Sequence, residues 1–372
     1  MKVKVLVLIG TRPEAIKLAP VIFKLKSNPE NFETRICATG QHDEMLYQAF
    51  SDFDIDPDLD LKVMRPGQSL GSVTARLFEA IDAVLEAEKP NWVLVQGDTA
   101  TAMVGAICGF YRKIKVGHVE AGLRSHNRFS PFPEEMNRKV ASIVADKHFA
   151  PTEGARQNLL REGIRSDDIL VTGNTVVDAL LWMIDRVRDI PPIIPTLILE
   201  ACSENKRIVL ITGHRRESFG AAFEQICLAI RDLASLHTDT NFIYPVHFNP
   251  MVRHPVMSIL GGVDRVILTE PLSYQPFVWL MNRSNLILTD SGGIQEEAPS
   301  LGKPVFVMRD VTERPEGVEA GTSHLVGSIR EDIVKAVSSA LDQKQGSPSN
   351  GKFRNPYGDG LAAKRIVQAL LP

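Results

Sequence analysis

The chain has 372 residues, 44% of them hydrophobic, enough to build two cores at roughly 150 residues per domain. Its 42 basic and 45 acidic residues are interspersed and leave a net charge of −3, which excludes the electrostatic footprint of a DNA, RNA or anionic-membrane binder; an anionic ligand must be held locally, in a pocket. Cys37, Cys108, Cys202 and Cys227 are far apart and form no C-x-x-C pair, so they read as reduced structural thiols rather than a disulfide framework or a zinc site, and no stretch approaches the roughly 18 apolar residues of a membrane span.

In chain order, the apolar run in "KVLVLIG" from Lys4 meets Arg12, Pro13 and Glu14 at once, which makes it a buried first strand and not a signal peptide. "TRICATG" from Thr34, "NWVLVQGD" from Asn91, "KVGHVEAG" from Lys115 and "KHFAPT" from Lys147 repeat the pattern, with helix-length amphipathic stretches between them, the mark of parallel βαβ units. A second series follows: "KRIVLITGH" from Lys206, "NFIYPVH" from Asn241, "DRVILTEP" from Asp264, "SNLILTDSGG" from Ser284 and "KPVFVMRD" from Lys303. Between the series, Arg186 to Arg207 has three prolines in five residues, which disfavour a helix, and the hinge is expected there. The fold class is therefore α/β with two Rossmann-like parallel-sheet domains, residues 1–185 and 186–356, and a C-terminal helix over 357–372 that rejoins the first domain.

Polar residues collect where strands end: Arg12, Glu14 and Lys17; Gln41 and His42; Asp98; His118 and Glu120; then His214 with Arg215, Arg216 and Glu217; His247 and Asn249; Ser291 to Gly293; and Arg309 to Arg314. Open parallel sheets bind ligands outside the carboxyl ends of their strands, and two such edges facing each other would make an interdomain cleft. Each residue has a plainer reading: Asp98 as a helix N-cap, Glu134 and Glu135 as first-turn acids of a helix, His214 as a solvated loop histidine. Glu120, between small and apolar residues, is a costly carboxylate without a ligand role. His148 and His237 read as structural or surface histidines. Ser291-Gly292-Gly293 combines a strand, a glycine turn and a following helix in the order a phosphate site needs, and Arg314 on the next loop is a forked donor to the same phosphates or to a base. P-loop, G-x-G-x-x-G and H-E-x-x-H motifs are absent, against a redox cofactor, and the G-x-S-x-G string at Gly67–Gly71 follows Pro66 rather than a strand, so it makes no nucleophile elbow of a serine hydrolase.

Taken together, "GTRPEAIK", "GDT", "GHVEAGLRS", "PFPEEMNR", "GNTVVDALLW", "GHRRESFG", "YPVHFNP", "DSGGIQEEAPSLGKP", "TERPEGVEAGT" and "NPYGDG" closely resemble the non-hydrolysing UDP-N-acetylglucosamine 2-epimerases, from Gly10 to about Gly360. The resemblance implies a glycosyltransferase-B arrangement with the active site in the interdomain cleft. It also implies a cytoplasmic homodimer, no metal or nicotinamide cofactor, and interconversion of UDP-GlcNAc and UDP-ManNAc by elimination and re-addition of UDP, supplying ManNAc units for cell-surface polysaccharide. By motif, Asp98, Glu120, Glu134 and His214 are similar to the catalytic residues, and Arg12, Lys17 and Arg138 to contacts on the diphosphate and sugar. Leu272 backbone and the Phe277 ring would hold uracil, Ser291, Gly292 and Gly293 the phosphates, Glu297 the ribose hydroxyls, and Arg314 the nucleotide end. An activator site for UDP-GlcNAc in some members is similar to Gln41, His42, Glu134, Arg215 and His247; "MRPGQSL" has Gly67 where some of them have arginine and keeps Gln68.

The helix after the glycine turn separates two neighbouring acids. Glu296 and Glu297 project about 100° apart, so one, taken as Glu297, is expected to reach past the phosphates, with Glu296 in a supporting place. The competing readings are a hydrolysing epimerase that releases ManNAc and UDP, a glycosyltransferase of the same architecture, and a non-catalytic sugar-nucleotide sensor. Carboxylates beside a diphosphate argue against the sensor.

Overall fold

The computed structural model describes residues 2–40, 43–65, 67–203, 206–215, 219–342 and 355–371. The chain forms two compact units, Met1–Trp182 with Tyr357–Pro372, and Met183–Pro356. In the first, β1 (Val3–Ile9), β2 (Phe32–Ala38), β3 (Leu59–Asp60), β4 (Trp92–Gln96), β5 (Lys115–Val119), β6 (Lys147–Ala150) and β7 (Ile169–Val171) make one sheet in the order β3-β2-β1-β4-β5-β6-β7. In the second, β8 (Arg207–Thr212), β9 (Thr240–Pro245), β10 (Val266–Thr269), β11 (Leu286–Thr289), β12 (Val305–Val307) and β13 (Ser323–Leu325) make another, in the order β10-β9-β8-β11-β12-β13. Every pairing is parallel. Both orders reverse direction once, between β1 and β4 and between β8 and β11, and crevices for ligands open at such points.

The central strands are buried along their length, as in "VLVLI" of β1 and "WVLVQ" of β4, because helices cover both faces of a parallel sheet. Continuous apolar runs, rather than alternation, follow from that burial. Cys37, Cys108 and Cys227 are buried among these side chains, Cys202 is half-buried, and all four are unpaired thiols; burial pushes Cys37, Cys108 and Cys227 up to about 12.

Two expectations are corrected. The stretch from Arg186 to Arg207 is largely helical: the helix Thr175–Asp189 runs into it and the helix Thr196–Ser203 begins straight after Pro195. The prolines fill only the gap between the two helices, where no backbone N–H is needed, and the compact units part earlier, at Trp182 and Met183. The C-terminal helix covers Ala362–Ala369 rather than all of 357–372. Its start is held on the first unit by Asp178, whose carboxylate accepts from Ala362 N (3.2 Å) and Ala363 N (2.9 Å) and so satisfies first-turn donors that the helix itself leaves open. Ahead of the helix, Tyr357 O accepts from Asn174 N at 2.6 Å. Among the described residues no helix is long and apolar enough to cross a membrane, and no group of three or more His, Cys, Asp or Glu side chains is set to hold a metal ion.

Candidate active site

In the first unit the turn after β1 is drawn tight. A Cβ at Gly10 would lie 2.2 Å from Thr101 Oγ1, so only glycine lets the strand end approach the helix Ala100–Tyr111. Beside it Glu14 is buried and accepts from Gly10 N (3.0 Å), the Thr11 hydroxyl (2.8 Å) and the Thr99 hydroxyl (2.8 Å). Burial pushes Glu14 up to about 7 against the pull of those hydrogen bonds. Glu14 thereby joins the turn that carries Arg12 to the turn that carries Asp98.

Thr99, not Asp98, caps the helix Ala100–Tyr111: its hydroxyl oxygen accepts from Ala102 N at 3.0 Å. The Asp98 carboxylate is thus released for Arg138, which donates to Asp98 Oδ2 from the helix Glu134–Val144. Asn137 of the same helix donates to Asp98 O at 2.9 Å, fixing the backbone that presents the carboxylate.

Glu120, just past β5, has φ +64°, a conformation that non-glycine residues occupy at a cost and that concentrates at functional sites. Its Oε2 accepts from Lys17 Nζ and, at 3.1 Å, from Asn174 Nδ2, and its side chain is nearly buried. Glu134 opens the helix Glu134–Val144 and, four residues before Arg138, shares that residue's face. The first-turn reading fits its neighbour: Glu135 is fully buried, accepts from Ser125 N (3.0 Å) and His126 N (3.2 Å), and lies 3.4 Å from Arg138 Nη1. His118 is corrected from the polar cluster to the core of β5. Its ring Nε2 bonds Gly97 O at 2.7 Å, and burial lowers it to about 3, so it stays neutral. His148 and His237 are buried as well.

In the second unit, the Thr212 and Thr289 hydroxyls meet at 2.6 Å across the β8–β11 reversal. Ser291 N donates to Thr289 Oγ1 (2.9 Å), and Ser291 sits at the N-cap of the helix Gly292–Glu297 without spending its hydroxyl on a cap bond. The Arg314 guanidinium lies over this turn: a Cβ on Gly292 would be 2.6 Å from its Cζ. Glu296 holds it there through Arg314 Nε at 2.9 Å, and Glu313 lies 3.5 Å from Nη1. Glu297 accepts from the Tyr274 hydroxyl at 2.6 Å. Phe277 is half-buried three residues on from Tyr274, and Leu272 lines a largely apolar cavity of about 400 Å³ with Val246, Met257 and Leu268.

His214 and His247 stack in parallel, centroids 5.2 Å apart and planes 13° apart. Arg215, one residue on, faces Glu313 at 3.8 Å. Of the activator-type residues, Arg215 and His247 therefore join His214 at one place, whereas Gln68 is engaged with Arg65 N (3.1 Å) and Arg76 in the first unit. Gln41 and His42, with Arg216, Glu217 and Ser218, lie outside the described residues. Asn137, Asn174, Thr99 and Asp290 were not singled out from sequence; only Asp290, a charge that closes the apolar run "NLILTD", left a readable signal.

The family model described as UDP-N-acetylglucosamine 2-epimerase matches residues 24–371. The chain belongs to the UDP-N-acetylglucosamine 2-epimerase family. A Yersinia pestis UDP-N-acetylglucosamine 2-epimerase is 53% identical over 99% of this chain and 98% of the relative. Among solved structures, a Neisseria meningitidis UDP-GlcNAc 2-epimerase bound to UDP-GlcNAc is 46% identical, with a TM-score of 0.88 over 99% of both chains. A Methanocaldococcus jannaschii UDP-GlcNAc 2-epimerase in complex with UDP-GlcNAc and UDP is 35% identical, with a TM-score of 0.81 over 99% of both. Likeness over the whole of both chains, in sequence and in fold, is that of one isomerase family rather than of a shared fold alone.

Proposed function

We propose that the chain interconverts UDP-GlcNAc and UDP-ManNAc without releasing free sugar. A carboxylate removes the C2 proton, UDP departs from C1 as the C1–C2 double bond of 2-acetamidoglucal forms, and UDP adds back to C1 as a proton is delivered to the opposite face of C2. The observation that carries this reading is the placement of Asp98 and Glu120 at the ends of the neighbouring strands β4 and β5, each oriented by its own cation, Arg138 and Lys17. Two positioned carboxylates, with Glu134 on the helix face that holds Arg138, supply an acid and a base for the two faces of C2.

In the second unit the Ser291–Gly293 turn and Arg314 suit the diphosphate, Glu297 the ribose hydroxyls, and Leu272 with Phe277 the uracil. His214 belongs to the catalytic set, and Arg12 extends the cationic contacts. The ligands named for the Neisseria and Methanocaldococcus relatives support a uridine nucleotide-sugar here. The reading extends to a cytoplasmic homodimer that supplies ManNAc units for surface polysaccharide. Phe110 and Tyr111 at the end of the helix Ala100–Tyr111, with Ile143 on the helix packed beside it, offer an exposed apolar surface for a second copy.

Incubation with UDP-GlcNAc alone tests the reaction: UDP-ManNAc accumulates to a constant ratio with no free ManNAc. Release of ManNAc and UDP would transfer the chain to the hydrolysing epimerases, and an unchanged sugar nucleotide that turns over only with an acceptor would make it a glycosyltransferase.

A further inference from the structure

The two oxygens of Asp290 have different surroundings. Asp290 closes β11 and is buried, with about 1% of its surface exposed. Oδ2 accepts from His214 N (2.7 Å) and Arg215 N (2.8 Å), tying the loop after β8 to the turn after β11. Oδ1, equally buried, has no hydrogen-bond partner among the described residues, although leaving a carboxylate oxygen unsatisfied is costly. His214 Nδ1 lies 3.7 Å from it, just beyond hydrogen-bond distance.

The stacked neighbour has the opposite arrangement. His247 Nδ1 accepts from Asn249 N at 3.1 Å, so the lone pair of that ring is on Nδ1 and its proton on Nε2. Desolvation, and then the closeness of His214, lower His247 from its ordinary value against the pull of Asp290. Among the described residues, His214 Nδ1 is the side-chain nitrogen placed to donate to Asp290 Oδ1.

We propose that Asp290 is a positioning residue that holds His214 as the Nδ1–H tautomer and so leaves Nε2, on the far side of the ring, as the basic nitrogen turned toward the ligand. The proposal rests on the epimerase reading for its kinetic consequence but not for the tautomer itself. A carboxylate behind a histidine fixes both ring orientation and the nitrogen that carries the proton. Asp290 then joins two loops by their backbone and sets the chemistry of a side chain on one of them.

Asp290→Asn separates these roles. Its amide oxygen still accepts from His214 N and Arg215 N, while its NH₂ faces His214 Nδ1 and demands a lone pair there, reversing the tautomer. On the full-length protein, ¹H–¹⁵N long-range correlation of the histidine rings, with the His214 signals identified by their loss in His214→Asn, is expected to show Nδ1–H in wild type and Nε2–H in Asp290→Asn. kcat for UDP-GlcNAc epimerisation is expected to fall by at least ~100-fold with KM changed less than ~3-fold, and Asp290→Asn is expected to add little in a His214→Asn background. Wild-type His214 protonated on Nε2, full turnover in Asp290→Asn, or an undiminished further loss in the double variant would overturn the proposal. Wild-type protein that fails to turn over the sugar nucleotide would refute the epimerase reading and leave the ring measurement as the test of Asp290; if Asp290→Asn does not fold, the wild-type spectrum still decides.

Discussion

Glu120 is held by Lys17 and Asn174 in a left-handed backbone conformation, and Asp98 by Arg138 and Asn137, so each carboxylate is fixed before a ligand arrives. Asp98→Asn, Glu120→Gln and Glu134→Gln are each expected to lower kcat by at least ~100-fold, the scale of lost general acid–base help. Steady-state assays checking all three decide the assignment, and near-wild-type turnover throughout would refute it. Glu14 gives a pH-dependent prediction. Its folded value near 7 is above the usual 4.5, so the folded state binds the proton more tightly, and Glu14's contribution to stability is full below about pH 4.5 and lost as pH rises through about 7. Glu14→Gln lacks that loss, and its stability relative to wild type should rise by roughly 3 kcal/mol between pH 4.5 and 8, measured by urea unfolding; a flat difference would contradict the burial argument. The plain and functional readings of Asp98 were indistinguishable in sequence because Asp and Thr are both good caps, and only the geometry of Thr99 separates them.

The elements follow from period and burial. Central strands such as β1, β4, β8 and β11 were legible because burial on both faces makes continuous apolar runs. The short strands β3, β7 and β13 at the sheet edges were not anticipated: at two or three residues they are too short for the run that marks a central strand. The Thr196–Ser203 helix was hidden because proline density argues against a helix, while Pro195 at its very start is compatible with one. The turn before Gly292–Glu297 shows what an element end contributes. Gly292→Ala puts a methyl group where the Arg314 guanidinium lies, so Arg314 must move off the turn. UDP affinity is expected to fall roughly 10-fold by calorimetry, the loss of one charge-assisted contact, with stability changed by less than ~1 kcal/mol. Unchanged affinity would remove Arg314 from the phosphate site. Helix phase, which sequence spacing does give, separates Glu296 from Glu297; that Glu296 is the acid that orients this arginine is set by the loop that carries Arg314.

At the scale of the whole molecule, two units each reverse strand order once, and the candidate residues cluster at the strand ends on and beside those reversals: Arg12, Asp98 and Glu120 in the first, His214, Asp290 and Ser291 in the second. The motifs placed these residues on turns; the tertiary partners Asn137 and Asn174 come from distant elements and no local pattern marks them, whereas Asp290 shows in sequence only as the charge that closes an apolar run. The proposed homodimer is tested by Tyr111→Glu, which should shift sedimentation from dimer to monomer; a wild-type monomer, or a variant that remains dimeric, would place the interface elsewhere or nowhere. The central claim is that the C2 proton is removed and replaced while UDP stays available for return. UDP-GlcNAc incubated with the protein in D₂O should give UDP-ManNAc carrying deuterium at C2, followed by mass and proton spectra of the same sample; UDP-ManNAc formed with its original C2 hydrogen, or no UDP-ManNAc at all, would contradict it.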